Sequence, residues 1–258
     1  MTEYRFCTVA DEGRLRIVTI NRPEVMNALH SEAHWEFDRI WNEFAADPEL
    51  WVGIITGAGE RAFSAGNDLK VQAAGGRTPR PATGFAGLTS RFDLDKPLIA
   101  AVNGVAMGGG FETALACDII IAAENAIFAL PEPRVGLIAG SGVHRLPRLI
   151  GLKQALGMIL TGRRVSAAEG KALGFVNEVV PEGQALQAAK RWAGLILECS
   201  PMAIRASKQV VHRSLDEPTL ETAMTRTYPA AQANLASHDY IEGPKAFAER
   251  RKPEWRNR

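Results

Sequence analysis

Glu112 and Glu132 are two carboxylates that stand 20 residues apart in segments of low polarity. Glu112 follows three consecutive glycines, and Glu132 lies between Pro131 and Pro133, which restrict the backbone around it. Two carboxylates in an apolar cleft repel each other, so one keeps its proton near neutral pH while the other is ionised. Such a pair can supply both an acid and a base. The alternative is that they are two unrelated surface glutamates.

The glycines belong to residues 104–118, which read G-V-A-M-G-G-G-F-E-T-A-L-A-C-D. An apolar run at 98–102 precedes them and predicts a buried strand, and apolar residues at helical spacing follow at 111–117. A strand, a glycine turn and a helix start can leave backbone N–H groups unpaired and pointing outward, beside the positive end of the helix dipole. The pattern therefore predicts a site for an oxyanion, or simply a tight packing of strand against helix.

Strands and helices alternate in the first half of the chain. The apolar pattern predicts strands at 15–20, 51–56, 98–102, 119–122 and 127–130. Between the first two strands, Ser31 is expected to cap a helix that ends at Asp47 and Pro48. This order indicates an α/β core with parallel strands.

The second half reads mainly as helix. Helical spacing occurs in six segments, at 143–150, 152–160, 167–173, 185–198, 202–215 and 220–238, with one strand at 175–180. We therefore expect two regions: residues 1–200 as the α/β core that carries the site, and residues 201–258 as a helical C-terminal region.

A long loop separates the strands at 51–56 and 98–102. Only residues 62–69 in it resemble an ordered element. Loops of this length in compact domains are usually functional or mobile. We expect residues 75–87 to be either a disordered surface excursion or a lid over the substrate.

Composition excludes several classes of function. Thirty basic and 29 acidic side chains give a net charge of +1, so no global field attracts nucleic acid or an anionic membrane. Cys7, Cys117 and Cys199 are odd in number and widely spaced, which argues against a disulfide framework or a metal site. The longest aliphatic run, at 119–123, is too short to cross a bilayer, and residues 1–10 lack a signal-peptide core. We expect a soluble cytoplasmic protein.

Four longer motifs carry a family resemblance: F-S-A-G-N-D-L-K at 63–70, I-A-A-V-N-G-V-A-M-G-G-G-F-E at 99–112, C-D-I-I-I-A at 117–122 and F-A-L-P-E at 128–132. Together with the stretches at 21–29 and 160–180, they make the chain resemble the crotonase family of enoyl-CoA hydratases and isomerases over nearly its whole length. The resemblance implies a spiral of strand-strand-helix units, assembled as a homotrimer or a dimer of trimers, that binds acyl-CoA thioesters.

The resemblance also implies a mechanism. By motif position, the N–H groups of Asn67 and Gly109 would form the oxyanion hole for the thioester carbonyl, each worth about 3 to 4 kcal/mol in the transition state. Glu112 would deprotonate the water that attacks the β carbon, and Glu132 would protonate the α carbon. No metal or redox cofactor is implied, because CoA enters as the carrier of the substrate.

Residues 84–89, 92–97 and 241–255 are similar to one subgroup of the family, the crotonobetainyl-CoA hydratases, which act on a trimethylammonium acyl chain in carnitine metabolism. The family pattern implies a path for CoA and substrate along eight residues: Val25, Ala28, Ala65, Asp68, Leu69, Lys70, Phe247 and Arg250. Lys70 and Arg250 would meet phosphates, or would be solvated surface charges.

Two departures from the family pattern are relevant to the site. Asn67 stands where many hydratases have alanine, so its amide is available to the acyl group or to water. Residues 141–145 replace the more usual glycine-threonine-glutamine run, and His144 within them is either structural or catalytic.

Three alternatives remain open at this level. An enoyl-CoA isomerase needs a proton shuttle but no water, and another enolate-using enzyme needs only the oxyanion hole. A non-catalytic acyl-CoA- or RNA-binding relative would show an altered glutamate pair or a basic stripe. The intact pair of Glu112 and Glu132 favours hydration.

Overall fold

The computed structural model describes residues 4–75 and 79–258. The strands in this part of the chain are β1 Cys7–Glu12, β2 Leu15–Ile20, β3 Val52–Gly57, β4 Ala62–Ser64, β5 Leu98–Val102, β6 Val105–Met107, β7 Ile119–Ala123, β8 Ile127–Ala129, β9 Val165–Ser166 and β10 Glu178–Val180. The helices are α1 Ser31–Ala46, α2 Leu69–Gly75, α3 Gly109–Ala116, α4 Gly142–Ile150, α5 Leu152–Thr161, α6 Ala167–Leu173, α7 Ala185–Leu197, α8 Pro201–Ser214, α9 Leu220–Thr225, α10 Pro229–Leu235 and α11 His238–Ala248.

The strands form two sheets. The larger has the order β1-β2-β3-β5-β7-β10 and is parallel except for the hairpin of β1 and β2. The smaller has the order β4-β6-β8-β9, with β9 antiparallel to β8. Consecutive strands alternate between the sheets, so that β3 and β4, β5 and β6, and β7 and β8 each place one strand in either sheet. The chain therefore winds as a spiral, and each turn adds one layer to both sheets.

The large sheet is buried on both faces. In β5, Leu98, Ala100 and Val102 belong to the apolar core shared with α1 and α3, while Ile99 and Ala101 point to a second core that contains the alanines of α7. Successive side chains of a strand point to opposite faces, so a strand covered on both sides reads as a continuous apolar run. This explains why β5 could be located from the sequence alone.

Four strands were not predicted from the sequence, namely β1, β4, β6 and β9. The last three have three residues or fewer, and their pairing with distant strands, rather than their own periodicity, makes them strands. The first is a largely exposed edge strand that pairs only with β2. The helix start at Ser31 also differs. His30 is the N-cap residue, and the hydroxyl of Ser31 donates to the carbonyl oxygen of Pro79 at 2.7 Å instead of capping the helix.

The single helix expected at 220–238 is wrong. The chain forms α9, α10 and the start of α11 there, separated by extended residues at Arg226 and Tyr228. Pro229 at the first position of α10 disfavours the helical conformation in the residue before it, which accounts for the break. These helices pack on α8. No described helix has the length and apolar character needed to cross a membrane.

The end of the long loop is part of the core. Phe85, Ala86 and Gly87 form a buried 3-10 turn against α1, where Trp41 donates its indole N–H to the carbonyl oxygen of Ala86 at 3.1 Å. A disordered surface excursion is therefore wrong for these residues. Residues 76–78 of the same segment lie outside the described part of the chain.

Candidate active site

The glycine run brings two backbone segments into contact. A Cβ atom on Gly110, at the start of α3, would lie 2.2 Å from the carbonyl oxygen of Ser64 at the end of β4. A Cβ atom on Gly66 would lie 3.0 Å from the nitrogen of Gly109, and Gly66 has a φ of +88°. Only glycine fits such positions without displacement of the backbone. The three glycines therefore allow the strand end to touch the helix start.

Two unpaired donors meet at this contact. Leu29 donates its N–H to the carbonyl oxygen of Gly66, and its carbonyl oxygen accepts the N–H of Asp68. The N–H of Asn67, between these two bonds, has no acceptor within residues 4–75 and 79–258. Gly109 is the first residue of α3, and among the described residues its N–H also has no acceptor. Two free N–H groups, one of them at a helix N-terminus, form a suitable environment for negative charge on an oxygen.

Glu112 lies one turn into α3 and is buried. Its Oε1 accepts the backbone N–H of Ser141 at 2.5 Å and that of Gly142 at 2.6 Å, and it lies 3.3 Å from the hydroxyl oxygen of Ser141. These donors belong to the N-terminus of α4, which favours a negative charge on the carboxylate. The role of Ser141 was missed from the sequence, where residues 141–145 were noted only as a departure from the family pattern.

Glu132 begins a 3-10 turn directly after β8. Its Oε2 is buried, and among the described residues it has no hydrogen-bond partner. The pKa of this carboxyl is raised to about 7, mainly by burial; a hydrogen bond from its own backbone N–H opposes the rise and the charge of Glu112 adds to it. A substantial fraction of the carboxyl is therefore protonated near neutral pH.

Gly108 is in contact with both Glu112 and Glu132. Its carbonyl oxygen accepts the N–H of Glu112 at 2.9 Å, and a Cβ atom on it would lie 2.8 Å from Oε1 of Glu132. Its φ is +52°, in the region that favours glycine. The fold therefore places both glutamates at the start of α3, next to the free N–H groups.

Three further side chains lie near the N–H groups of Asn67 and Gly109: Phe85, which the sequence analysis placed in the stretch 84–89 without a role, and Arg80 and His34, which it did not single out. A Cβ atom on Gly109 would lie 2.6 Å from the Phe85 ring. The Arg80 guanidinium carbon lies 5.3 Å from the centre of that ring, and the His34 ring centre lies 4.4 Å from it. An aromatic residue inside a glycine-rich loop is the sequence feature from which this cluster of Phe85, Arg80 and His34 could have been predicted.

The amide of Asn67 takes part in a polar network. It donates to Oε1 of Gln72, and its Oδ1 lies 3.5 Å from a guanidinium nitrogen of Arg80. Contact of this amide with an acyl group or water stays a prediction. His144 is exposed on α4, and its ring makes no hydrogen bond to any described residue, so neither of the roles considered for it gains support.

The residues expected along the CoA path fall into two groups. Asp68 forms an ion pair of 3.2 Å with Arg22, whose guanidinium also donates to the carbonyl oxygen of Ala28. This largely buried pair fixes the loop that leads to Asn67. The others on this side are Val25, Ala65, Leu69 and Lys70, of which the last two are exposed.

The remaining two residues lie near the C-terminus. Phe247 belongs to α11, which packs on α8 and α10, and 85% of its surface is exposed. Arg250 is also exposed. Within the described chain, no hydrogen bond or ion pair links either residue to Lys70, Glu112 or Glu132.

The described residues include no group of three or more His, Cys, Asp or Glu side chains that could hold a metal ion. The site is thus built from two carboxylates and two backbone donors. In chemical terms, such a site can stabilise an enolate oxygen while one carboxyl gives a proton and the other takes one.

Comparison with known proteins identifies the family of this chain. The family model described as enoyl-CoA hydratase/isomerase matches residues 11–258. A carnitinyl-CoA dehydratase from Salmonella typhi is 44% identical over 256 residues, which cover 95% of this chain and 96% of that protein. The crystal structure of an enoyl-CoA hydratase from Mycobacterium tuberculosis H37Rv superimposes with a TM-score of 0.92 at 37% identity, over 98% of this chain and 99% of that one.

A second solved structure, an enoyl-CoA hydratase from Bacillus anthracis, gives a TM-score of 0.90 at 34% identity, over 98% of this chain and 100% of that one. The expectation of a crotonase-type spiral is confirmed by these matches. The chain belongs to the enoyl-CoA hydratase/isomerase family, and it is a hydro-lyase of the enoyl-CoA hydratase type.

Proposed function

We propose that this chain adds water reversibly to the 2,3 double bond of a 2-enoyl-CoA thioester, with Asn67 and Gly109 as oxyanion donors and with Glu112 and Glu132 as base and acid. The observation that carries this proposal is the contrast between the two carboxylates. Glu112 accepts hydrogen bonds from two backbone N–H groups, whereas burial raises the pKa of Glu132 to about 7, so that this carboxyl can hold a proton near neutral pH. One ionised and one protonated carboxyl are what addition of water requires.

The thioester carbonyl oxygen accepts hydrogen bonds from the N–H groups of Asn67 and Gly109. Negative charge grows on this oxygen as the β carbon is attacked, so both hydrogen bonds strengthen in the transition state. A contribution of about 3 to 4 kcal/mol from each donor fits such a site.

Glu112 takes a proton from water as the water oxygen bonds to the β carbon. Glu132 then gives its proton to the α carbon, and the enolate collapses to the thioester. The π bond between the α and β carbons and one O–H bond of water break, one C–O bond and one C–H bond form, and the single proton shared by the two glutamates has moved from Glu132 to Glu112. Exchange with solvent restores the starting state, and dehydration runs through the same steps in reverse.

CoA lies along Val25, Ala28, Ala65, Asp68, Leu69 and Lys70 in this proposal, and Phe247 and Arg250 close the site of a neighbouring subunit. Exposed apolar side chains on α4, α5, α9 and α11 support assembly into a homotrimer or a dimer of trimers; they include Leu149, Leu152, Met224, Ile241 and Phe247. Large exposed apolar surfaces mark interaction sites. The three free cysteines fit a cytoplasmic compartment.

A second candidate concerns the acyl chain. The 44% identity to a carnitinyl-CoA dehydratase favours crotonobetainyl-CoA as a substrate. The resemblance at residues 84–89 and 92–97 points the same way, since Phe85 of this stretch lies against Gly109.

The test is loss of the conjugated enoyl absorbance when the purified protein meets crotonyl-CoA or crotonobetainyl-CoA, with a 3-enoyl-CoA as the third substrate. Hydration predicts loss of absorbance with the 2-enoyl thioesters. Formation of a conjugated enoyl product from the 3-enoyl thioester, without any hydration, would establish an isomerase instead. Binding without turnover of all three would favour the non-catalytic alternative.

A further inference from the structure

We propose that Arg80 and His34 form a subsite that selects 2-enoyl-CoA thioesters whose acyl chain ends in a carboxylate. This inference rests on the proposed function, because it concerns the acyl end of the same site. It competes with the second candidate given above, because a carboxylate and the trimethylammonium group of crotonobetainyl-CoA carry opposite charges, and the experiment below decides between the two substrate classes.

Arg80 brings a positive charge beside the oxyanion donors. Its guanidinium lies over the ring of Phe85, 5.3 Å from the ring centre, and 3.5 Å from Oδ1 of Asn67. Among the described residues, no carboxylate lies within ion-pair distance of it. Burial lowers the pKa of Arg80, and the charge of Glu112 counteracts this effect. Arg80 nevertheless keeps solvent-exposed surface, and a cation without a counter-ion among the described residues attracts an anionic ligand.

His34 supplies a second, independent observation. It is fully buried in α1, and its Nδ1 accepts the N–H of Ala86 at 3.2 Å. Burial, assisted by the charge of Arg80, lowers the pKa of His34 to about 3, so the ring is neutral at physiological pH. Because Nδ1 is an acceptor, the proton of the neutral ring is on Nε2.

The Nε2–H group of His34 has no acceptor among the described residues and is shielded from solvent. Buried donors without a partner are rare in native structures and call for an explanation. Because this nitrogen is buried, an acceptor for it has to enter the apolar layer around Phe85. The end of an acyl chain enters an apolar layer of this kind.

The two donors converge on one ring. Both Arg80 and His34 lie against Phe85, and Phe85 lies against Gly109, one of the two oxyanion donors. A ligand group that accepts hydrogen bonds and carries negative charge satisfies both side chains. A carboxylate has these properties, whereas a quaternary ammonium offers no acceptor and is repelled by Arg80.

A phosphate of CoA is the other anion available to Arg80. The two sources differ in a measurable way, because every substrate carries the CoA phosphates and only some carry a terminal carboxylate. Loss of a phosphate contact weakens the binding of all CoA thioesters by the same factor. Loss of a carboxylate contact weakens only those with a terminal carboxylate, and so changes the ratio of kcat/KM between substrates.

The experiment uses three thioesters with a common reacting group: crotonyl-CoA, glutaconyl-CoA with a terminal carboxylate, and crotonobetainyl-CoA with a terminal cation. The wild-type protein is expected to show at least a tenfold higher kcat/KM for glutaconyl-CoA than for either of the others. Arg80→Gln is expected to lower the ratio of glutaconyl-CoA to crotonyl-CoA by about 10- to 100-fold. Arg80→Lys, the matched control, keeps the charge and is expected to restore part of that ratio.

The His34 variants separate its two ring nitrogens. Asparagine places an acceptor near the Nδ1 position and lacks the Nε2 donor, whereas glutamine places a donor near the Nε2 position. We expect His34→Asn to lower the same substrate ratio and His34→Gln to retain more of it. Thermal unfolding of both variants checks that the fold is intact.

Binding of the unreactive glutaryl-CoA and butyryl-CoA, measured by calorimetry, tests the subsite without catalysis. Arg80→Gln should weaken the binding of glutaryl-CoA at least tenfold more than the binding of butyryl-CoA. Equal weakening of both would assign Arg80 to a CoA phosphate and overturn the inference. A wild-type preference for crotonobetainyl-CoA would also overturn it. Selective binding of glutaryl-CoA without any hydration would refute the proposed function and leave the subsite in place.

Discussion

The surroundings of Glu112 and Glu132 differ although the two carboxylates share one end of α3. Oε1 of Glu112 receives the backbone N–H groups of Ser141 and Gly142, whereas Oε2 of Glu132 is buried with no partner among the described residues. The first environment stabilises a carboxylate, and the second stabilises a carboxylic acid. The sequence shows two identical side chains, and the elements around them create the contrast that supports the proposed roles of base and acid.

The largest expected effect is the loss of either carboxyl. Glu132→Gln and Glu112→Gln should each lower kcat about 10²- to 10⁴-fold, because each removes a positioned proton donor or acceptor. The two variants should differ in thermal stability. Glu112→Gln should lower the melting temperature, because the N-terminus of α4 loses the negative charge that it stabilises, whereas Glu132→Gln should not lower it. Enoyl-CoA hydration and thermal unfolding of both variants measure this. Wild-type turnover in Glu132→Gln would remove Glu132 from the mechanism.

A smaller effect is expected when Glu132 is displaced rather than removed. Gly108→Ala puts a methyl group 2.8 Å from the Oε1 position and should lower kcat/KM by up to about 10²-fold, as expected for a displacement on the scale of 1 Å. Gly13→Ala is the matched control, because Gly13 has a similar φ of +59° and open space around it. Equal losses of activity in both variants would attribute the effect to backbone strain alone.

The pH dependence sharpens the comparison further. Since the pKa of Glu132 is raised to about 7, kcat/KM should fall about tenfold per pH unit above that value. The fall should be the same for hydration and dehydration, because both directions start from the pair with one proton in total. Initial rates in both directions from pH 5 to 9 provide the measurement. A flat profile up to pH 9 would contradict a protonated Glu132.

The smallest expected effect is on stability. The folded-state pKa of Glu132 lies above its ordinary value of 4.5, so the folded protein binds more protons between pH 4.5 and 7 and loses stability as pH rises through this window. Glu132→Gln lacks this loss and should be about 1 to 2 kcal/mol more stable than wild type above pH 7, since solvent screening reduces the full effect. Urea unfolding at pH 4.5, 6 and 8 measures the difference. A difference that does not vary with pH would contradict the assigned pKa.

Much of the fold follows from local patterns. The boundaries of β2, β5 and α6 were located from the sequence to the residue, because apolar periodicity and turn residues are properties of a few neighbouring positions. The motifs around Asn67, Gly109 and the two glutamates also identified the family, which the comparisons confirm. Local patterns did not predict the strands β1, β4, β6 and β9, which depend on pairing with other strands. They also did not predict the break before Pro229, which one proline causes.

The sequence by itself determined which groups take part: two carboxylates, a glycine turn and an α/β spiral to hold them. Only the tertiary structure decided their states. The N-terminus of α4 reaches Glu112 from 29 residues away, and the ring of Phe85 brings Arg80 and His34 together beside Gly109. Burial and hydrogen bonding set the charge of an ionisable group, and both depend on elements that meet only after the chain has folded.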